Sequence, residues 1–164
     1  MSKTAKWETA GCIFTLLFGT LLHFLYDWSG KSCLVSIFAP VNESVWEHLK
    51  LIFYPALIFS FVEYYFLRQE TNGFFTAKSL SLILAMSITV CAFYGYTAIT
   101  EKNYLWADIT IFSLSVIISY IISCMYSRNK FSGNLVGTNL MLIFIGLFTV
   151  FSFFQPDIFI FREP

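Results

Sequence analysis

Residues 40–50 of the chain, PVNESVWEHLK, hold its densest group of side chains that can do chemistry. Between Asn42 and Lys50 they place two carboxylates, an imidazole, an ammonium and an amide. The stretch then runs directly into an apolar segment, residues 51–61. Polar groups at the mouth of a hydrophobic helix are costly where lipid touches them. We therefore expect the stretch to line a site, a cavity or a packed polar network.

A second group of chemically useful side chains ends the first apolar run of the chain. His23 and Asp27 continue a four-residue spacing that begins with Gly11, Thr15 and Gly19. Small residues at this spacing let another helix approach closely, so His23 and Asp27 are expected to point to that same neighbour. A local His23–Asp27 pair at i,i+4 explains the spacing equally well.

If the helices that carry these groups are neighbours, one end of the bundle gathers both histidines of the chain and several carboxylates. Imidazoles with carboxylates are the ligand set of Zn²⁺ or a similar divalent ion. Such an ion makes bound water nucleophilic near neutral pH, and a spare carboxylate can act as the general base. The predicted metal ligands are His23, Asp27, His48 and Asp108, the predicted catalytic carboxylates are Glu43 and Glu47, and the predicted substrate-binding side chains are Asn42, Trp46 and Lys50.

The central stretch also has an architectural interpretation. Ser44-x-x-Glu47 fits the capping box, in which the serine caps a helix and the glutamate reaches back to the serine N–H. Asn42 is a rival cap, and Glu43 suits the positive end of the helix dipole. Lys50 lies at the i,i+3 spacing for an ion pair with Glu47.

The composition is that of a membrane protein. The chain is 57% hydrophobic and only 12% charged, with a mean hydropathy of +0.71, whereas a soluble domain carries about 25% charged residues. Its formal net charge is zero and it has no basic run, which argues against nucleic acid as a partner. We expect membrane lipid around the chain, and homo-oligomers are compatible with it.

Five apolar segments are long enough to cross a bilayer, which takes about 20 residues each. We predict an all-α integral membrane bundle of about five transmembrane helices, with residues 1–164 forming a single transmembrane domain. The predicted helices cover about 7–26, 45–67, 77–98, 105–126 and 135–154, and a short interfacial segment is expected at 31–41.

Three positions carry further predictions about these helices. Pro55 should kink the second helix, because proline removes a backbone hydrogen bond. Glu63 is expected to be interfacial and to pair with Arg68. Asp108 is expected to face the bundle, because it shares a helix face with two serines that mark a packing side.

Orientation follows the basic residues, which favour the cytoplasmic side. With the N-terminus inside, six basic residues fall on the inner side and four on the outer. The inner set is Lys3, Lys6, Arg68, Lys78, Arg128 and Lys130, and the outer set is Lys31, Lys50, Lys102 and Arg162. We predict that the N-terminus is inside, that the C-terminus is outside, and that the 40–50 stretch lies near the outer surface.

Three sequence features together carry a family resemblance. They are His23-Phe24-x-Tyr26-x-x-Ser29-Gly30, the stretch Pro40 to Lys50, and Phe151-Ser152-Phe153-x-x-Pro156 with a terminal acid–proline pair. The combination resembles an uncharacterised family of small bacterial multi-pass membrane proteins, known only as a domain of unknown function. The resemblance implies a bacterial origin and a polytopic fold, and we expect the chain to lie in the cytoplasmic membrane. It implies no activity, substrate or catalytic residue.

Three functional hypotheses remain open at this point. The first is a metal-dependent intramembrane enzyme that acts on a lipid or isoprenoid-type substrate. The second is a cation- or proton-coupled transporter or channel subunit, with the acidic end as its vestibule. The third is a structural or accessory subunit, in which the polar cluster fixes the helices in register.

Overall fold

The computed structural model describes residues 1–127 and 133–164, most of which lie in helices. The helices are α1 (Lys3–Trp28), α2 (Val45–His48), α3 (Lys50–Leu67), α4 (Phe74–Thr100), α5 (Leu105–Tyr126) and α6 (Leu135–Phe153), and short 3-10 helices form at Val35–Ile37 and Phe159–Phe161. The all-α prediction is confirmed. Two of the basic residues used to predict the orientation, Arg128 and Lys130, lie outside the described residues.

Within the described residues, five helices are long and apolar enough to cross a membrane, with α2 and α3 counted as one. This finding is compatible with a multi-pass membrane protein. Exposed tryptophans lie at one end of the bundle, Trp28 and Trp106, and exposed tyrosines lie at the other, Tyr65 and Tyr126. Aromatic side chains of this kind favour the two membrane–water interfaces.

The centre of the bundle is α3. In the most apolar 18-residue stretch of Val45–Leu67, 61% of the residues are buried. In the corresponding stretches of the other four spans, the buried share is 17% to 28%. Helix α1 packs against α3 and α5, while α4 packs against α3, α5 and α6. The polar end of α3 and the end of α1 are therefore held side by side.

Pro55 lies inside α3, and the helix continues through it. The interruption of this span falls instead at Leu49, between α2 and α3. Because proline has no N–H, the carbonyl four residues earlier, that of Leu51, loses its helical donor. Gly19 of α1 lies against this carbonyl so closely that a Cβ there would stand 2.6 Å from the Leu51 oxygen. The glycine spacing of α1 thus serves a close helix contact, as predicted.

The predicted interfacial pair between Glu63 and Arg68 is wrong. Glu63 is fully buried, and its Oε2 lies 2.9 Å from Lys78 Nζ of α4. The Arg68 guanidinium instead lies over the ring of Tyr65, 5.5 Å from its centroid. Glu63 turns inward because α1 and α4 both pack against this end of α3 and supply it with partners.

Among the described glycines, Gly137 of α6 is the one at which an added Cβ would come closest to the backbone of another helix. A Cβ at this position would lie 2.2 Å from the carbonyl carbon and oxygen of Phe75 in α4, whereas a Cβ at Gly146 of the same helix meets no atom within 4 Å. We expect Gly137→Ala to lower the free energy of unfolding by about 1–3 kcal/mol through overpacking. Gly146→Ala should be neutral or slightly stabilising, since alanine favours helix. Unfolding curves in detergent micelles measure both, and equal effects would contradict the contact.

Candidate functional site

The start of α2 is capped by two side chains of the central stretch. Ser44 Oγ accepts a hydrogen bond from the Glu47 N–H at 3.4 Å, and Asn42 Oδ1 accepts one from the Ser44 N–H at 3.1 Å. Ser44 is therefore a cap, as predicted. The predicted return of Glu47 to the Ser44 N–H is wrong, because Asn42 occupies that donor and Glu47 is drawn to other partners.

Successive side chains of α2 face three different neighbours, since each residue turns about 100° around a helix. The Trp46 ring packs against Phe148 of α6 and against Phe161 of the C-terminal 3-10 helix, at centroid distances of 5.0 and 5.1 Å. Glu47 faces the turn that precedes α2, and His48 faces α1. One short helix thus contributes to separate sites, and Glu47 and His48 belong to different ones.

His48 meets His23 of α1 and Glu43 of the turn before α2. One ligand atom from each of the three lies within 4.8 Å of the others. The two imidazole centroids are 5.1 Å apart, and His48 Nε2 lies 3.3 Å from Glu43 Oε2. The prediction that His23 and Asp27 of the first helix meet the central stretch is confirmed for His23. We name these three residues the His–Glu cluster.

The backbone fixes the orientation of the His48 ring. Its Nδ1 lies 2.9 Å from the Ser44 carbonyl oxygen, and a carbonyl can only accept, so Nδ1 carries the proton of this hydrogen bond. Nε2 is therefore the atom that faces Glu43: it donates to this carboxylate when the ring is protonated, and it offers its lone pair to a metal when the ring is neutral. Metal-binding histidines typically donate their other N–H to a carbonyl or carboxylate in this way.

His23 is the partner whose polar atoms are least satisfied. Its Nδ1 is buried, and no described residue forms a hydrogen bond with it. A buried polar group without a partner costs about 1–3 kcal/mol. A ligand between the two imidazoles would remove that cost.

Glu43 is the exposed member of the His–Glu cluster and lies outside the apolar spans. The hydrogen bond with His48 holds the pKa of Glu43 below its usual range, against the opposing effect of partial burial. The carboxylate is therefore ionised at neutral pH, as a metal ligand must be. The sequence assigned Glu43 to catalysis, and in the structure one of its oxygens lies within 4.8 Å of a ring nitrogen of each histidine.

The two remaining predicted metal ligands lie further out. Asp27 is exposed, one helical turn from His23, and interacts with it electrostatically. Asp108 interacts with His48, but its Oδ1 already accepts a 2.5 Å hydrogen bond from the Tyr96 hydroxyl. Sequence reasoning missed this role of Tyr96, for which no spacing rule between α4 and α5 gives a signal.

Glu47 and Lys50 form a separate, fully buried ion pair with Nζ 2.6 Å from Oε2. Lys50 Nζ also donates to the Ser152 hydroxyl of α6 at 2.6 Å and to the Ser36 carbonyl at 2.9 Å. Glu47 Oε2 accepts a hydrogen bond from the Val41 N–H at 3.0 Å. The pair ties α2, α3, α6 and the turn before α2 together, which is a structural arrangement.

The other predicted substrate-binding residues also contact the protein. The Asn42 amide donates to Gln155 Oε1 at 2.9 Å, next to the end of α6. Trp46 lies in an aromatic group, and its Nε1 is buried without a hydrogen-bond partner among the described residues. The structure thus brings together His23, Glu43 and His48, and it gives Asn42, Glu47 and Lys50 partners elsewhere.

A family model described as a family of unknown function (DUF6512) matches residues 1–164. No curated protein and no solved structure is similar enough to match.

Proposed function

We propose that this chain, which belongs to the family of unknown function DUF6512, is a metal-dependent membrane enzyme centred on the His–Glu cluster. The observation that carries the proposal is the convergence of one ligand atom each from His23, Glu43 and His48 within 4.8 Å. Two imidazoles and one carboxylate are the protein ligands of several catalytic zinc sites.

The spacing suits a divalent transition metal. Zinc binds imidazole nitrogen and carboxylate oxygen at about 2.0–2.2 Å, so its ligand atoms stand about 3–4 Å apart. The 3.3 Å between His48 Nε2 and Glu43 Oε2 already lies in this range. The ligand atom of His23 lies within 4.8 Å of the other two, so a metal would draw this ring closer to complete the set.

Partial exposure favours a catalytic centre over a structural one. The side chains of Glu43 and His48 are 67% and 31% exposed, whereas structural zinc sites have four protein ligands and are closed. Three protein ligands leave a coordination position for water or substrate. Asp27, exposed and one turn from His23, is the spare carboxylate that we assign as general base.

The position of the cluster supports an amphipathic substrate. The exposed Trp28 and Trp106 lie at the same end of the bundle as the His–Glu cluster, and exposed aromatic side chains of this kind favour the membrane–water interface. A metal there faces lipid headgroups rather than acyl chains. We assign the substrate to the phospholipid or isoprenoid phosphate class, for which an ion held by His23, Glu43 and His48 would supply polarisation of a phosphoryl oxygen and activation of water. The proposed location is the bacterial cytoplasmic membrane, with the cluster and the C-terminus outside.

This function can be tested with protein reconstituted in phospholipid vesicles that contain an isoprenyl diphosphate. The measurement is the rate of phosphate release. We expect zinc-loaded protein to release phosphate, a chelator to stop the release, and Asp27→Asn to lower its rate by about 10²–10⁴-fold through loss of the general base. The control is Asp157→Asn, which alters an exposed carboxylate after α6 and should leave the rate unchanged. Metal binding without turnover of either substrate class would contradict the enzyme and favour the accessory role.

A further inference from the structure

A second polar cluster lies at the opposite end of the bundle from the His–Glu cluster. It consists of Glu8 of α1, Glu63 of α3 and Lys78 of α4, which are 2%, 0% and 1% exposed. Lys78 Nζ lies 2.6 Å from Glu8 Oε2 and 2.9 Å from Glu63 Oε2. Glu8 and His23 are 15 positions apart on α1, which corresponds to about 22 Å. The two clusters are therefore separate.

The charges of this buried cluster do not balance. Two ionised carboxylates around one ammonium leave a net charge of −1 in a site from which water is excluded. An unbalanced buried charge is strongly unfavourable, and a group in that position usually changes its protonation state instead. A single proton on one of the carboxylates makes the cluster neutral.

The hydrogen bonds of the two carboxylates indicate which of them carries the excess negative charge. Glu8 is fully satisfied, because its Oε1 accepts from the Ser123 hydroxyl at 2.6 Å and its Oε2 accepts from Lys78. Neither oxygen of Glu63 has a hydrogen-bond partner in the described chain, although Oε2 is at ion-pair distance from Lys78. The charges of Glu63 and Glu8 also act on each other. Two negative charges around one ammonium repel each other, and a proton on one carboxylate removes that repulsion.

The surrounding helices supply no further positive charge in the described chain. From α1 the cluster is met by Cys12, which is a neutral thiol. From α5 it is met by Ser123 and Tyr120, and the Tyr120 ring lies 4.5 Å from Lys78 Nζ. The Tyr120 hydroxyl is engaged with Thr15 at 2.8 Å. Lys78 is therefore the single positive charge that faces Glu8 and Glu63 among the described residues.

We infer that Glu63 and Glu8 hold one proton between them, so that this buried cluster is a proton-binding site within the membrane-spanning part of the bundle. The proton sits on Glu63, the carboxyl group that accepts no hydrogen bond within the described chain, while Lys78 keeps its hydrogen bond to Glu8. Loss of the proton leaves an uncompensated negative charge where α1, α3, α4 and α5 meet. Protonation is thus linked to the packing of four helices, independently of any metal at the other end.

Infrared spectroscopy of full-length protein labelled with ¹³C-glutamate tests the inference through the carbonyl stretch of a protonated carboxylic acid. At neutral pH, where exposed glutamates are ionised, we expect this band in the wild type with the intensity of one group per chain. Glu63→Gln and Glu8→Gln should each abolish it, because either change leaves one carboxylate for one ammonium.

Glu70→Gln is the matched control, since Glu70 is an exposed glutamate that pairs with Lys3 at the same end of the bundle. It should keep the full band. Glu63→Gln mimics the protonated side chain in shape and charge, so we also expect it to fold. The wild type should become less stable at alkaline pH, where Glu63 loses its proton, and Glu63→Gln should not show this decrease. A wild type without the band at neutral pH, or a band that persists in both cluster variants, would overturn the inference.

Discussion

Lys50→Met should destabilise the protein by about 3–5 kcal/mol, the largest stability effect that we expect from a single substitution. The change removes the ammonium from a fully buried pair and leaves the Glu47 carboxylate charged and without its partner, which is the costly way to break a buried ion pair. It also removes the hydrogen bonds from Lys50 to Ser36 and Ser152. Unfolding curves recorded in detergent micelles measure the decrease in the free energy of unfolding.

Lys3→Met is the matched control, because Lys3 forms an ion pair of similar length with Glu70 at 2.9 Å, but with side chains 52% and 43% exposed. Exposed pairs contribute about 0–1 kcal/mol. The double variant Glu47→Gln with Lys50→Met removes both charges and should recover part of the stability. If Lys50→Met were no more damaging than Lys3→Met, the buried pair would have no structural role.

His48→Ala should weaken zinc binding by about 100-fold or more. Loss of an outer-shell partner alone costs about 10–100-fold in metal affinity, and His48 is proposed as a direct ligand. Because Nδ1 donates to the Ser44 carbonyl, Nε2 is the nitrogen that remains to bind the metal. Binding should also weaken as pH falls, because protons compete with the metal for the imidazoles. Competition with a fluorescent zinc chelator measures both effects.

Glu43→Gln tests whether Glu43 is a metal ligand or only a hydrogen-bond partner of His48. The amide keeps a hydrogen-bonding group beside Nε2 but is a poor zinc ligand, so affinity should fall while the fold is retained. Asp157→Asn, which changes an exposed carboxylate paired with Arg162, should leave affinity unchanged. Equal affinities for Glu43→Gln and Asp157→Asn would remove Glu43 from the metal site.

The helices could be predicted from the sequence because hydrophobic length is a local property. The apolar runs locate all five spans, and the glycine spacing of α1 predicts the contact with α3 that Gly19 makes. The burial of Lys78 could not be predicted in the same way. Its position near the start of an apolar run is typical of an orientation signal, whereas its partners Glu8 and Glu63 come from two other helices. Such partners depend on packing, which no local spacing encodes.

The candidate site was predictable in part for the same reason. His23 and His48 lie at the ends of adjacent helices, so their meeting follows from helix order and depth. The sequence does not indicate that the side chains of residues 40–50 divide between two sites. Glu47 and His48 are neighbours in sequence, yet they face different partners. Glu8 did carry a signal, since it precedes Gly11 by three residues and shares the buried face of α1.

The metal content of the purified protein tests the central claim most directly. Full-length protein is loaded with zinc, freed of excess metal by gel filtration and measured by elemental analysis. The account predicts one zinc ion per chain in the wild type and in Asp157→Asn, and a large loss in the folded double variant His23→Ala with His48→Ala. Wild-type protein that retains no divalent metal, or a double variant that retains as much as the wild type, would contradict a metal centre at the His–Glu cluster.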